Sequence, residues 1–193
     1  MKIMTVEEYN NREGRSKKLL LWFAMISFVM VFAGLTSAYV VSKSRADWNN
    51  FEMPTAFLIS TVVILISSIT FHLAKKAMQT GDRSLTTTYL LSTLILGLAF
   101  VYLQFEGFAQ LIALGFHPVG PTSTITTSFL WIVVATHLLH LLGGLISILV
   151  IIYNHYKQKY SSSQTLGIEL GAMFWHFLDF LWLYLFLFLY FFK

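Results

Sequence analysis

The chain has 193 residues, 56% of them hydrophobic and only 11% charged, where an ordinary soluble domain carries about 25% charged. Its net charge of +4 does not mark a nucleic-acid binder, because Lys and Arg fall in the connections between apolar runs. There is no cysteine, which excludes disulfides, iron–sulfur clusters, thiolate-bound zinc and a cysteine nucleophile.

Five apolar runs follow one another: Leu19–Val41, Ala56–Lys75, Leu85–Phe105, Ser128–Tyr153 and Ile168–Phe192. Each is long enough to cross a bilayer, which takes about 20 residues. The first follows the polar stretch Met1–Lys18. It is too long for a signal-peptide core, and no small-residue cleavage site follows it, so it counts as a membrane helix. The expected fold is therefore an all-α integral membrane protein: a polar N-terminal segment over residues 1–18 and a single five-helix transmembrane domain over 19–193. The connections are marked by Asn49-Asn50 and Pro54, by Gly81-Asp82, by Pro118, Gly120 and Pro121, and by Ser161-Ser162-Ser163. No internal repeat is visible.

Charge sets the expected orientation. Lys2, Arg12, Arg15, Lys17 and Lys18 share a side with Lys75, Lys76, Arg83, Lys157 and Lys159. The opposite side has only Lys43, Arg45 and Lys193, and the stretch Glu106–Thr127 has no Lys or Arg. Ten against three puts the N-terminus in the cytoplasm and the C-terminus outside.

The fifth run is interrupted near its middle by His176 and Asp179, and the fourth by His137 and His140. Each pair is spaced by three, which places it on one helix face. A charged group at such depth costs roughly 2.5–3.5 kcal/mol on insertion scales, so these side chains must face protein. At about 1.5 Å of rise per residue, His137 falls level with Asp179, and His140 with His176. Adjacent antiparallel helices can then pair them, with Gly143 and Gly144 allowing close approach. Three readings compete: a structural polar network locking two helices, a proton relay, and a metal site built from three histidines and an aspartate. The structural network leads, because nothing in the sequence marks an open substrate position.

Secondary polar candidates have ordinary explanations. His72 lies beside Lys75 and Lys76, as an interfacial histidine does. Glu106 ends the third run as a snorkelling or capping carboxylate, and Glu169 opens the fifth, where a negative charge suits the helix dipole. Trp22, Trp48, Tyr89, Tyr153 and Tyr156 read as an aromatic belt. Phe186, Phe188, Phe191 and Phe192 read as facing lipid or a partner subunit.

The residues Glu169, Ala172, Phe174, Trp175, His176, Phe177, Asp179, Trp182 and Leu183 resemble the final-helix motif of subunit III of the haem–copper terminal oxidases, approximately E-x-x-A-x-Y-W-H-F-V-D-x-x-W-L. Thr136-His137-Leu138-Leu139-His140 with Gly144 is similar to that family's H-G-L-H-x-x-x-G segment. Ser67-Ser68-Ile69-Thr70-Phe71-His72-Leu73-Ala74 with Gly81-Asp82, and Gly97-Leu98-Ala99-Phe100 with Leu103-Gln104, resemble two further stretches. The likeness runs from about Lys17 to the C-terminus. It matches the five-helix bacterial form, which lacks the first two of seven helices and keeps the same orientation. Phe28 stands where the family commonly has a buried glutamate, so that residue's proton-related role does not carry over. Glu106 sits two residues after Gln104, where familiar versions often place the acid one residue further on.

The resemblance implies a non-catalytic subunit of a respiratory cytochrome c oxidase in the bacterial cytoplasmic membrane. It would pack on subunit I, beside subunit II, and would hold no cofactor of its own. Haem and copper would reside in the partner subunits, and phospholipid would be bound. Such a subunit supports proton uptake and protects the catalytic subunit during turnover. Subunit III of a quinol oxidase, or the related accessory subunit of nitric oxide reductase, shares the pattern. A different class, an independent intramembrane metal enzyme, would use His137, His140, His176 and Asp179 as ligands. A solute transporter would show internal repeats or broken helices.

Overall fold

The computed structural model describes residues 6–46, 48, 52–120, 123–161 and 164–192, with side chains from residue 12 onward. Of the features read from the sequence, Lys2, Asn49, Asn50, Pro121, Ser162, Ser163 and Lys193 lie outside the described residues. Among the described residues there are five helices: α1 (Val6–Ser42), α2 (Thr55–Gln79), α3 (Arg83–Ala113), α4 (Ile125–Tyr156) and α5 (Leu166–Phe191). All five are long and apolar enough to cross a membrane. Large apolar side chains stand exposed along every one of them. Apolar patches of that extent do not face water in a monomeric soluble protein, so the outer surface of this bundle is solvated by lipid.

Two helices extend past the apolar runs. α1 is helical from Val6, well ahead of residue 19, so residues 6–18 of the polar segment are turns of the same helix. α3 continues from Phe105 to Ala113. Hydropathy marks where a helix meets lipid, whereas its end is set where the backbone hydrogen bonds are capped. In α3 that happens at Leu114–Phe116, where Phe116 N–H reaches back to Leu111 O at 2.9 Å.

α2 and α3 are joined by a three-residue reversal that uses two helix-end devices. Gly81 takes φ +82°, and the N–H of Asp82 returns to Ala77 O at 3.0 Å. The Asp82 carboxylate then caps α3, accepting from Leu85 N–H at 3.0 Å. α4 opens on a reciprocal Thr124/Thr127 capping box.

α2 packs on α3 and α5, and α4 packs on α3 and α5, which makes a four-helix ring. α1 lies outside the ring against α4 and α5. α1 commits a single stripe to the protein, Met25, Phe32, Thr36 and Tyr39. The ring closes around Trp175. Its indole lies 2.9 Å from where a Cβ would stand at Gly97 of α3, and 3.1 Å from the same point at Gly144 of α4. Any side chain at those two positions would displace the ring, which explains two glycines in helix interiors where glycine is otherwise unfavourable.

Candidate functional site

The residues singled out in the sequence all lie inside or along this bundle, but they do not form one cluster. His137 is fully buried at 0% exposure and Asp179 at 2%, yet neither makes a hydrogen bond in the structure. The pairing expected from equal depth is therefore corrected. Depth fixes the position along a helix and says nothing about azimuth. At His137's level the space is taken by the indole of Trp182, its ring centre 5.2 Å from the imidazole, with Phe100 at 6.2 Å and Phe32 at 6.3 Å. His137 is an aromatic-caged histidine in the ring's interior.

The expected pairing of His140 with His176 is also absent. His140 turns toward α1, where the edge of Phe28 meets its ring at a centroid distance of 4.1 Å. Its Nδ1–H donates to Thr136 O one turn back, at 2.7 Å. That local bond satisfies the ring without any partner on α5. Phe28, the residue in the glutamate position, thus makes an aromatic contact with a histidine of α4.

His176 faces α2. Its Nδ1 lies 2.6 Å from Ser68 Oγ, and its ring is 6.3 Å from Phe71 and 6.4 Å from His72. Asp179 lies three residues on from His176 along α5, on the same side of the helix. His72, exposed, is the outermost member of this line. Ser68, His72 and Lys75 recur at helical spacing on α2, opposite the His176/Asp179 face of α5.

The hydrogen-bond network that does join the helices runs through the hydroxyls of α2. Trp175 Nε1–H donates to Ser67 Oγ at 3.2 Å, and Trp182 Nε1–H donates to Thr61 Oγ1 at 3.0 Å. Gln104 Nε2–H donates to Ser60 Oγ at 2.9 Å. Ser67 Oγ–H reaches Thr93 O at 3.3 Å, and Thr70 meets Thr93 at 2.8 Å between hydroxyls. Each satisfies a polar group that lipid would leave bare. The signal was present in the sequence as hydroxyl pairs Ser60-Thr61 and Ser67-Ser68 seven residues apart, but Ser and Thr within an apolar run attract less notice than an aspartate.

Of the secondary candidates, Glu169 ties two elements together. It accepts from Thr165 Oγ1 at 2.8 Å and pairs with Lys18 of α1 at 3.6 Å. Glu106 is exposed on α3, seven residues before the helix ends. Trp22, Tyr153 and Tyr156 are exposed as belt residues are, whereas Trp48 packs on Tyr39 at 4.8 Å. Phe191 and Phe192 are exposed, but Phe186 is buried in the core and Phe188 is half-buried against Tyr39, which corrects the outward reading of that stripe. Among the described residues no three of His, Cys, Asp and Glu come together to hold a metal ion.

Four apolar helices closed around two buried indoles, with a fifth laid against α4 and α5, define a multi-pass membrane protein. The buried face of α5 includes Ala172, Trp175, Asp179 and Trp182, four of the residues that carry the final-helix motif. The chain belongs to the cytochrome c oxidase subunit III family, whose model matches residues 14–193. Its relatives include the cytochrome bo(3) ubiquinol oxidase subunit 3 of Buchnera aphidicola subsp. Baizongia pistaciae, 32% identical over 180 residues covering 91% of each chain. The corresponding subunit of Pseudomonas aeruginosa is 28% identical over 170 residues, 86% of this chain and 79% of that one. The cytochrome c oxidase subunit 3 of Spodoptera frugiperda is 30% identical over 148 residues, 76% of this chain and 94% of the other.

Proposed function

We propose that this chain is the accessory subunit III of a proton-translocating haem–copper oxidase in a bacterial cytoplasmic membrane. Its N-terminus faces the cytoplasm and its C-terminus the exterior. It packs beside subunit I and near subunit II, which hold the haem and copper, and it carries bound phospholipid. Relatives serve both quinol and cytochrome c oxidases by name, so the donor belongs to the partner subunits. The observation that carries the reading is the fate of the motif. Trp175 and Trp182 fill the ring and bond to α2, and His137 is caged by aromatics, so the motif builds the subunit itself. The hydrogen-bonded polar groups of α2 and α5 accordingly act as structure.

The test compares the oxidase with and without this chain. Oxygen reduction should persist in the depleted enzyme, with slower proton uptake and earlier inactivation during turnover. Immediate loss of all oxygen reduction would assign the chain a catalytic part instead.

One observation favours a second reading. Asp179, Ser68, His176 and His72 form a line of protonatable and hydroxyl groups from a buried carboxylate to an exposed imidazole. As a relay it would pass protons between the Lys75 end of α2 and the interior. Asp179→Asn decides between the two: pumping lost while assembly and lipid content stay normal supports the relay, and normal pumping supports structure.

A further inference from the structure

Two histidines approach each other across α2 and α5 near the Lys-rich end of the bundle. The ring centres of His72 and His176 are 6.4 Å apart, with the planes inclined at 44°. His72 is exposed and makes no hydrogen bond or ion pair among the described residues. His176 is half-buried and held through one nitrogen, Nδ1, which lies 2.6 Å from Ser68 Oγ. Its Nε2 has no hydrogen bond among the described residues and is not sealed inside the protein. The Phe71 ring, 6.3 Å from His176, stands as an apolar wall beside the pair. Neither imidazole takes part in the Ser, Thr and Trp bonds that join α2 to its neighbours.

These are the parts of a cation site. A metal-bound histidine donates its other ring N–H to an oxygen acceptor, which fixes the ring and leaves one bare nitrogen for the ion. Ser68 supplies that acceptor to His176 Nδ1, since a hydroxyl accepts as well as donates. Nε2 is then the bare nitrogen. Zinc holds imidazole nitrogens at about 2.0–2.1 Å in a tetrahedral shell, which sets two ring centres about 5–6 Å apart. The observed 6.4 Å exceeds that only slightly, and a torsional adjustment of the exposed His72 side chain closes the gap without moving either helix.

The ligand type selects the ion. Imidazole suits zinc, whereas magnesium and calcium ask for oxygen ligands that the pair lacks. Two protein ligands leave the rest of the shell to water. The ion is therefore exchangeable, in keeping with the finding that no three metal-ligating residues come together among the described residues. Access is open, because His72 lies one turn before Lys75 and Lys76, where the apolar run of α2 ends. Lys75 shares a face of α2 with His72 and opposes a cation through its charge, although its long stem carries the ammonium toward water.

We propose that His72 and His176 form an exchangeable zinc site that ties α2 to α5, with Ser68 as the positioning residue that orients His176. The site takes one histidine from the α5 motif and joins it to an interfacial histidine of α2. It needs only the fold of this chain, whichever partners surround it.

The experiment uses the chain in the assembly with which it copurifies, washed with chelator and titrated with zinc sulfate against a fluorescent zinc indicator. Other subunits contribute the same zinc to every sample, so the difference between parent and variant isolates the site. His72→Gln should remove one zinc per chain, or weaken that site by about tenfold or more. Because His72 is exposed, this change leaves the core intact. Ser68→Ala keeps both imidazoles and should weaken binding by about tenfold, as loss of an outer hydrogen bond to a ligand usually does. Lys75→Gln should tighten it, by removing a positive charge. Magnesium at the same concentration should not compete. Zinc should raise the thermal unfolding temperature of the parent chain more than that of His72→Gln. Equal zinc content and affinity in parent and His72→Gln would overturn the proposal, as would displacement by magnesium. Unchanged affinity in Ser68→Ala would overturn the role given to Ser68.

Discussion

Gly143 and Gly144 are neighbours on α4 with opposite surroundings, and this makes a controlled test of how the bundle closes. A Cβ at Gly144 would lie 2.7 Å from Leu178 Cδ1 and 3.1 Å from the Trp175 ring, whereas one at Gly143 meets nothing within 4 Å. Valine at either position brings the same change in backbone entropy, so the difference between the two variants isolates packing. Forcing extra carbons into a filled core costs about 1–3 kcal/mol, a factor of roughly 5 to 150 in the equilibrium between closed and opened bundle. The native chain has no cysteine, so a single Ala172→Cys, at a position 2% exposed, reports opening through its rate of maleimide labelling. In detergent, Gly144→Val should raise that rate by the stated factor and Gly143→Val should leave it near the parent value. Equal rates in the two variants would show that the indole does not set the approach of α4 and α5.

Three further outcomes follow from the same geometry. Trp182→Phe removes the bond to Thr61 while keeping most of the ring, and should lower bundle stability by about 0.6 kcal/mol, the average for an interhelical hydrogen bond in a membrane protein, read by the same labelling assay. Asp179→Leu should be neutral or stabilising for the fold, since it replaces a buried carboxylate that has no hydrogen bond; a large loss of stability in thermal unfolding would show that Asp179 has a partner holding the helices together. Single cysteines at exposed Ser44 and Thr80 should label from opposite sides with a membrane-impermeant maleimide, Ser44 from outside and Thr80 only after permeabilisation; labelling from one side would overturn the proposed topology.

The helices were legible because an apolar run of about 20 residues has few other uses. Their ends were less so. Glu106, Gly107 and Gln110 read as the start of a connection, but α3 continues through them, with Gly107 lying close against the Phe57 ring of α2. The burial of Asp179 was legible from a carboxylate at that depth, whereas nothing in the apolar run itself marked Trp175 and Trp182 as the indoles at the centre. Nor was partnership legible, because helical rise places residues by depth while azimuth depends on which neighbours surround the helix. His176, one residue beyond Trp175, turns about 100° to Ser68 of α2. His140 closes a bond within its own helix, and an indole stands beside His137, so none of the expected pairs between α4 and α5 forms. The Ser and Thr ladder of α2 was in view throughout, but its partners are indole N–H groups that sequence spacing alone does not bring together.

In the function proposed above, this chain serves a redox enzyme as a member of its assembly, the haem and copper being held by its partners. The direct measurement is to isolate the tagged chain from native membranes in mild detergent, record subunit composition and reduced-minus-oxidised spectra, then dissociate the complex and repeat the spectra and metal analysis on each part. Haem and copper are expected in the copurifying complex, all of it remaining with the larger subunits after dissociation. A chain that purifies alone, or that carries stoichiometric haem, copper or iron after separation, would contradict it.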